Sequence, residues 1–383
     1  MVPGLFGSRT LGVALGSRAN ALNGLRLVFA AAVIVSHAWW LGGYGPEPAW
    51  YGIKLGTAAV MGFFAISGYL ITVSAERSTM LAFVAARWTR IYPGLAVAAL
   101  AVAFIAAPIG ALLTQGRYEV RGALAFVAAA LTLVIGTTRT PPIGTSLAGN
   151  HDPSDWDGPL WTLTWEVLCY VLVAVAVYAV RRASPGTTPS GSAHHGWAQR
   201  GSAPHSIVIL FLFALFSGAV AGKILGSGYG SDRTEFVLPF VAVFLAGALL
   251  ATLRNQLRVG VVPAAAASLA VWGALATGYG TALAPLPFAY LVLCAGSVRS
   301  RVGNRWDISY GIYIYGWPVQ QLLAAARVPA HVSPLAFAAI ALAVVWPLGL
   351  LSCLAVERPA QRLRARILGS QRPGHDPSEF VSE

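Results

Sequence analysis

The feature that most constrains this chain is a series of apolar stretches of roughly 20 residues each, the length that a helix needs to cross a membrane. Ten such stretches occur among the 383 residues: 22–41, 56–74, 92–114, 160–180, 207–225, 236–253, 261–277, 281–297, 308–325 and 334–356. Mean hydropathy is +0.66 and only 10% of the residues are charged, which excludes a soluble domain. The sequence therefore predicts an all-α integral membrane protein whose core is set by helix packing in lipid.

An eleventh apolar stretch, 122–137, decides the predicted topology. At about 1.5 Å per residue it covers only about 24 Å, less than a hydrocarbon core of about 30 Å. If it does not cross, every arginine cluster at the ends of the stretches lies on the cytoplasmic side, and the acidic segment 152–157 lies outside. The prediction is about ten crossings, with 122–137 re-entrant or half-inserted and both termini cytoplasmic. Eleven crossings with one topological rule broken is the alternative.

The chain is predicted to form one membrane domain, 1–366, with two segments outside the membrane. The loop 183–206 is rich in Ser, Gly, Pro and His and is predicted to be flexible and cytoplasmic. The polar tail, 367–383, is predicted to be disordered. The net charge of +12 comes from arginines at the ends of apolar stretches, so we expect no nucleic-acid partner. The three cysteines lie within apolar stretches and indicate packing; no metal site is predicted.

The first apolar stretch carries Arg26 and His37. Eleven residues separate them, which places both on one helix face, three turns and about 16 Å apart. Ionisable residues inside a membrane segment are costly and mark function by default. This helix therefore presents a cation near its start and an imidazole deep inside the membrane.

Arg87 and Arg90 stand at i, i+3 spacing at the predicted cytoplasmic boundary, so they share a face if the segment is helical. Two guanidinium groups there suit a phosphate or pyrophosphate, because each forms forked, charge-assisted hydrogen bonds. A positive-inside anchor that only touches lipid headgroups is the alternative interpretation.

Glu166 lies a turn or two into the stretch 160–180, on one face with Thr162 and Tyr170. A buried carboxylate needs a partner or a proton. The predicted topology places Glu166 and His37 in the outer half of the membrane, so the two are expected to meet. A carboxylate beside an imidazole is the usual arrangement of a general base. A structural ion pair between two helices is the alternative.

Hydroxyl groups also follow one face of the stretch 308–325, at Ser309, Tyr310 and Tyr313. Tyrosine at a membrane boundary is often only part of an aromatic belt, and that alternative stays open for each of them.

These motifs together resemble the acyltransferase-3 family of integral membrane acyltransferases. Six segments carry the resemblance in family order: Arg26 with His37, then 63–71, 87–93, 160–166, 309–313 and 357–359. Any one of them is weak, but six in order across nearly the whole chain are specific. Many relatives carry a second histidine where this chain has Gly316, so no histidine role is assigned there.

The resemblance implies an enzyme that transfers an acyl group, usually acetyl from acetyl-CoA, to a hydroxyl of a carbohydrate, glycolipid or glycosylated secondary metabolite. His37 would be the general base or a brief acyl carrier, and Glu166 would orient it. Arg26, Arg87 and Arg90 would bind acyl-CoA, which is a co-substrate and not a resident cofactor. The positions expected to line the site are Ser67, Tyr69, Trp161, Thr162, Tyr170, Ser309, Tyr310 and Tyr313. The expected location is the bacterial cell membrane, with multiple crossings of the bilayer.

Two other classes of protein were weighed. A transporter or flippase of a lipid-linked sugar could use the same membrane charges as a substrate path. The sequence shows no inverted repeat and no paired broken helices, which argues against it. If the protein were a structural membrane subunit, the presence of the ionisable residues Arg26, His37 and Glu166 inside membrane segments would be unexplained.

Overall fold

The computed structural model describes residues 9–17, 19–134, 140–183, 205–227 and 234–369. Helices occur at all ten predicted stretches. The fifteen α-helices of the described residues are α1 (Leu11–Gly16), α2 (Leu22–Leu41), α3 (Leu55–Arg77), α4 (Met80–Ala101), α5 (Ala107–Thr114), α6 (Val120–Leu131), α7 (Trp161–Ala183), α8 (His205–Ser227), α9 (Thr234–Thr252), α10 (Val261–Ala276), α11 (Gly280–Leu283), α12 (Pro285–Gly296), α13 (Ser309–Ala325), α14 (Pro334–Ser352) and α15 (Arg358–Gly369). The predicted flexible loop and disordered tail fall, but for their first and last few residues, outside the described residues.

Within the described residues, six helical segments are long and apolar enough to cross a membrane: Leu22–Leu41, Leu55–Arg77, Met80–Thr114, Gly158–Ala183, His205–Leu225 and Pro334–Leu368. Four shorter helices are also apolar: Val120–Leu131, Val237–Thr252, Val261–Ala276 and Pro285–Gly296. The only strands in the described ranges form a small antiparallel hairpin, β1 (Ala49–Trp50) with β2 (Ile53–Lys54). The structure is thus that of an all-α membrane protein.

Two helices are longer than the apolar stretches that predict them. The segment that begins at residue 92 in the prediction starts at Met80, and it continues through a π-helical turn, Val102–Ala106, into α5. The last stretch likewise continues through a second π turn, Cys353–Glu357, into the arginine-rich α15. The hydropathy pattern underestimated the lengths of both helical segments, because the charged turns next to the apolar stretches are helical as well. By contrast, α6 has only 12 residues, about 18 Å of helix.

The centre of the bundle is the contact between α3 and α9, where two glycines bring the backbones together. A Cβ atom at Gly68 would lie 1.9 Å from the carbonyl oxygen of Phe244, and one at Gly247 would lie 2.2 Å from that of Ala65. Small residues are how helices in lipid reach this separation. The face of α9 around Phe244 is accordingly buried throughout.

The helices α2 and α13 lie side by side and run in the same direction. Arg26 meets Asp307 next to the starts of both helices, and Gln320 donates to the carbonyl of Ile34 near their ends. Ile34 packs with Ile312 into a second apolar cluster shared with α14. One helix pair therefore spans the whole depth between the two ends of the bundle.

Candidate active site

His37 lies near the end of α2, beside a carboxylate from the following loop. Its Nδ1 atom is 3.3 Å from Oε2 of Glu47, which also accepts a 2.6 Å hydrogen bond from the hydroxyl of Ser36. Lys54 donates to the other oxygen of Glu47 at 3.2 Å. Burial acts to raise the pKa of Glu47, but His37, Ser36 and Lys54 together lower that pKa to about 2. Glu47 is therefore ionised. The 3.3 Å contact is an ion-pair distance without hydrogen-bond geometry, and the nearby negative charge favours the tautomer with its proton on Nδ1 over the one with its proton on Nε2.

Trp317 of α13 packs edge to face against the imidazole, with ring centroids 4.8 Å apart and an angle of 76° between the rings. Its indole N–H donates to the carbonyl oxygen of Asp155 at 2.9 Å, which fixes the ring. The neighbouring Gly316 faces Ile34, and a Cβ atom there would lie 2.9 Å from Ile34 Cγ1. A larger side chain at position 316 would have to displace Ile34.

The expectation that Glu166 pairs with His37 is wrong, because Glu166 has other partners. Its Oε1 atom accepts hydrogen bonds from the hydroxyls of Ser67 and Tyr170, at 2.8 and 2.6 Å. The carboxylate beside His37 is Glu47 instead.

The physical reason is depth along the bundle. Thr162, in the first turn of α7, shares a 2.7 Å hydrogen bond with the hydroxyl of Tyr313 on α13. Glu166 lies one turn further along α7, whereas Trp317 and His37 lie one turn away in the opposite direction. Two turns correspond to about 11 Å, which is beyond the reach of a glutamate side chain.

Arg26 and Arg90 converge on one carboxylate at the other end of the bundle. Each places a guanidinium nitrogen 2.7 Å from Oδ2 of Asp307, and Arg90 also pairs with Glu357 at 3.1 Å. Burial acts to raise the pKa of Asp307, but Arg26, Arg90 and the hydroxyl of Ser309 hold it well below the ordinary value. Two of the three arginines expected to bind acyl-CoA are thus neutralised by carboxylates.

Arg87 differs from its neighbour Arg90, one turn along α4. Its Nε atom is buried and has no hydrogen-bond partner within the described part of the chain, and no carboxylate there lies within ion-pair distance. The guanidinium lies over the ring of Phe83 and is close enough to Tyr170 and Glu166 to interact with them electrostatically. Of the three arginines expected to bind acyl-CoA, Arg87 is therefore the one without a carboxylate partner in the described part of the chain.

The remaining predicted positions divide into two groups. Tyr310 donates to the carbonyl of Ile91 at 2.8 Å, so it lies with Ser309 near the arginine cluster. Tyr69 and Trp161 instead face α9: Tyr69 is buried in the main core, and Trp161 stacks on Phe240 at 5.8 Å. These two aromatic residues lie apart from the polar row, which we define as the buried polar side chains that run through the bundle from the arginine cluster at Asp307 past Glu166 and Thr162 to His37.

Sequence reasoning missed the roles of Glu47, Asp307 and Trp317. Asp307 and Trp317 flank the Ser-Tyr motif of α13, and that proximity was a usable signal. Glu47 had no comparable signal, because only the loop conformation brings it back to His37. No group of three His, Cys, Asp or Glu residues that could hold a metal comes together in ranges 9–17, 19–134, 140–183, 205–227 and 234–369.

The fold and the buried polar row define a class: a helical membrane protein with ionisable side chains inside its bundle, the mark of a functional site. A model of the acyltransferase-3 family, described as an acyltransferase domain, matches residues 19–354. The chain therefore belongs to that family and is an acyltransferase.

Two relatives agree with this assignment. An O-acetyl transferase of Shigella phage Sf6 is 30% identical over 327 residues, covering 80% of this chain and 86% of the relative. Nodulation protein 10 of Rhizobium leguminosarum bv. viciae is 28% identical over 385 residues, covering 91% of this chain and 95% of the relative. No solved structure matches at a significant level.

Proposed function

We propose that the protein moves an acetyl group from acetyl-CoA to a hydroxyl of a carbohydrate, glycolipid or glycosylated secondary metabolite. The observation that carries the proposal is the pair of His37 with the ionised Glu47, a base held in one orientation inside the bundle. The O-acetyl transferase activity named for the phage relative supports an oxygen acceptor.

The chemistry follows from that pair. His37 takes the proton of the acceptor hydroxyl, and the oxygen attacks the thioester carbonyl. The carbon–sulfur bond then breaks, and the imidazolium returns its proton to the departing CoA sulfur. Glu47 stabilises the imidazolium charge while it exists. In the alternative order His37 accepts the acetyl group first, CoA leaves, and the acceptor then attacks the acyl-imidazole.

Acetyl-CoA enters from the cytoplasm, and Arg87 binds its phosphate groups. A guanidinium with a free edge forms forked hydrogen bonds to phosphate, whereas the edges of Arg26 and Arg90 already face carboxylates. Arg26 and Arg90 therefore fix the helix ends around the donor path. Glu166 contributes to the polar row between Arg87 and the His37 end.

The protein crosses the cell membrane ten times, with both termini in the cytoplasm. The 12-residue length of α6 supports a half-inserted segment at this position, whereas the equally short α12 is extended by α11, which precedes it almost without a break. The acidic segment lies against the same end of the bundle as His37, since Trp317 contacts both. The acceptor accordingly reaches His37 from the outside.

The test is transfer of label from acetyl-CoA to an extractable product in membranes that carry wild type or His37→Ala, with cell-envelope extract as acceptor. A general base contributes about 10²–10⁴-fold in rate, so His37→Ala should lose that much at equal membrane content. His331→Ala, an exposed histidine after α13, serves as the matched control and should retain wild-type activity. Full activity of His37→Ala would refute the assignment.

An assay without acceptor distinguishes the two orders of reaction. The dependence on acyl-CoA distinguishes the enzyme from a transporter. Exchange of label between acetyl-CoA and free CoA in the absence of acceptor indicates the acyl-imidazole route, and no exchange indicates direct attack. A protein that shows no acyl-CoA dependence at all, although correctly inserted, would instead be a transporter.

A further inference from the structure

Asp157 is a buried carboxyl group that the reaction described above does not use. Asp157 is 1% exposed, and both of its carboxyl oxygens lack a hydrogen-bond partner among the residues that the structure describes. Burial, and the nearby charge of Asp155, raise the pKa of Asp157 well above its ordinary value. In its protonated form, which burial favours, this carboxyl group can both donate and accept a hydrogen bond.

The backbone around Asp157 is held firmly against α13. Gln321 donates to the carbonyl oxygens of Asp152 and Asp155 at 2.9 and 2.8 Å, and Trp317 donates to that of Asp155 at 2.9 Å. One turn earlier, the hydroxyl of Tyr313 bonds the carbonyl of Pro159 at 3.3 Å. Three successive turns of one helix thus fix the segment that carries Asp157, so its burial is not a chance position of a loose loop.

The indole of Trp317 contacts both this segment and His37. A Cβ atom at Gly158 would lie 2.9–3.1 Å from the indole ring, and the same ring contacts the imidazole of His37. Gln320, three residues beyond Trp317 on α13, is fully buried, and its Oε1 atom also has no hydrogen-bond partner in the described chain. Two buried polar groups without a hydrogen-bond partner in the described chain therefore belong to the segments that adjoin Trp317 beside His37.

We propose that Asp157, assisted by Gln320, binds a second hydroxyl of the acceptor and positions the ring whose first hydroxyl is acetylated at His37. The acceptor class is then a polyhydroxylated ring, such as a sugar, rather than an isolated alcohol. A buried carboxyl group with no partner among the described residues suits a hydroxyl, because a hydroxyl can both donate to it and accept from it. This inference rests on the proposed acetyl transfer for the identity of the acceptor, but the binding itself is measurable without transfer.

The first test is thermal stabilisation of the purified protein in detergent by a panel of methyl glycosides at tens of millimolar, with cyclohexanol as the monohydroxyl probe. Wild type and Asp157→Asn should be stabilised by at least one glycoside, because asparagine also offers a donor and an acceptor. Asp157→Leu should lose that shift, and cyclohexanol should stabilise none of them. Asp152→Asn, half-buried in the same loop, is the matched control and should respond as wild type does.

The second test is kinetic and separates positioning from folding. Asp157→Leu should raise the apparent KM for acceptor about tenfold or more, because a site built to hydrogen-bond a hydroxyl loses strongly when one partner is removed. The KM for acetyl-CoA should stay within about twofold, and Asp157→Asn should restore most of the acceptor affinity.

Any of three results would overturn the assignment. They are no stabilisation of wild type by any glycoside, an unchanged acceptor KM in Asp157→Leu, and an equal rise in the KM for acetyl-CoA and for acceptor in that variant. If wild type binds glycosides through Asp157 but transfers no acetyl group, the proposed acetyl transfer fails and the hydroxyl site stands.

Discussion

At the scale of single residues, the pairing of His37 with Glu47 sets the chemistry. Glu47→Gln should lower kcat by about 10²-fold or more, because the amide can donate to Nδ1 and select the wrong tautomer of the imidazole. Glu119 is a half-exposed carboxylate remote in sequence from Glu47, and Glu119→Gln should leave kcat unchanged. The measurement is initial rate at saturating acetyl-CoA. Equal kcat values for Glu47→Gln and wild type would remove Glu47 from the mechanism.

The pKa of Glu47 also fixes the pH range of its effect. With a folded pKa of about 2, below the ordinary carboxyl value, Glu47 adds stability that is complete above that ordinary value and is lost as the pH falls towards 2. Between pH 6 and pH 8 the protonation state of Glu47 itself therefore does not change, and any acid limb in the rate profile there reports protonation of another group.

Arg87 and Arg90 should respond differently to the same substitution, although they are one turn apart. Arg87→Gln should raise the KM for acetyl-CoA about tenfold with little effect on thermal stability, since its Nε has no partner to lose in the described structure. Arg90→Gln should lower the melting temperature in detergent, because it leaves Asp307 and Glu357 with one cation fewer. Identical behaviour of the two variants would contradict this division of roles.

At the scale of elements, the approach of α3 to α9 depends on the absence of a side chain. Gly68→Ala should lower the melting temperature strongly, because its new Cβ would overlap the carbonyl oxygen of Phe244 in the partner backbone. Gly218→Ala on α8 is the matched control: nothing lies within 4 Å of its added Cβ, so stability should hold or rise slightly. The check is fluorescence-detected gel filtration after heating.

The elements themselves were largely predictable, and the site was predictable only in part. Apolar length alone located a helix at each predicted stretch, because a helix that crosses lipid must be apolar over its length, but it missed the first turns of α4, where paired arginines continue the helix. Arg26, His37 and Arg87 stood out as charges in apolar surroundings. Glu47 did not, because its position depends on a loop and a hairpin whose path no periodicity encodes.

At the scale of the whole molecule, the proposed topology places the acidic loop and the arginine-rich segment before α13 on opposite sides of the membrane. Ser154→Cys, in the exposed part of the acidic loop, should react with a membrane-impermeant maleimide in intact cells. Val302→Cys, with 61% of its side chain exposed, should react only after permeabilisation. The wild-type chain, whose cysteines are buried or half-buried, gives the background. The opposite pattern would invert the topology.

The shared carboxylate of Asp307 has a consequence for how the protein is made. Arg26 and Asp307 are 281 positions apart, so the first helix enters the bilayer long before its counter-charge has been synthesised. Until then Arg26 and Arg90 are cations without the partner that later offsets their cost in lipid. Assembly therefore cannot be complete before α13 packs beside α2, and a chain truncated before residue 307 should be recognised as unfinished by membrane quality control.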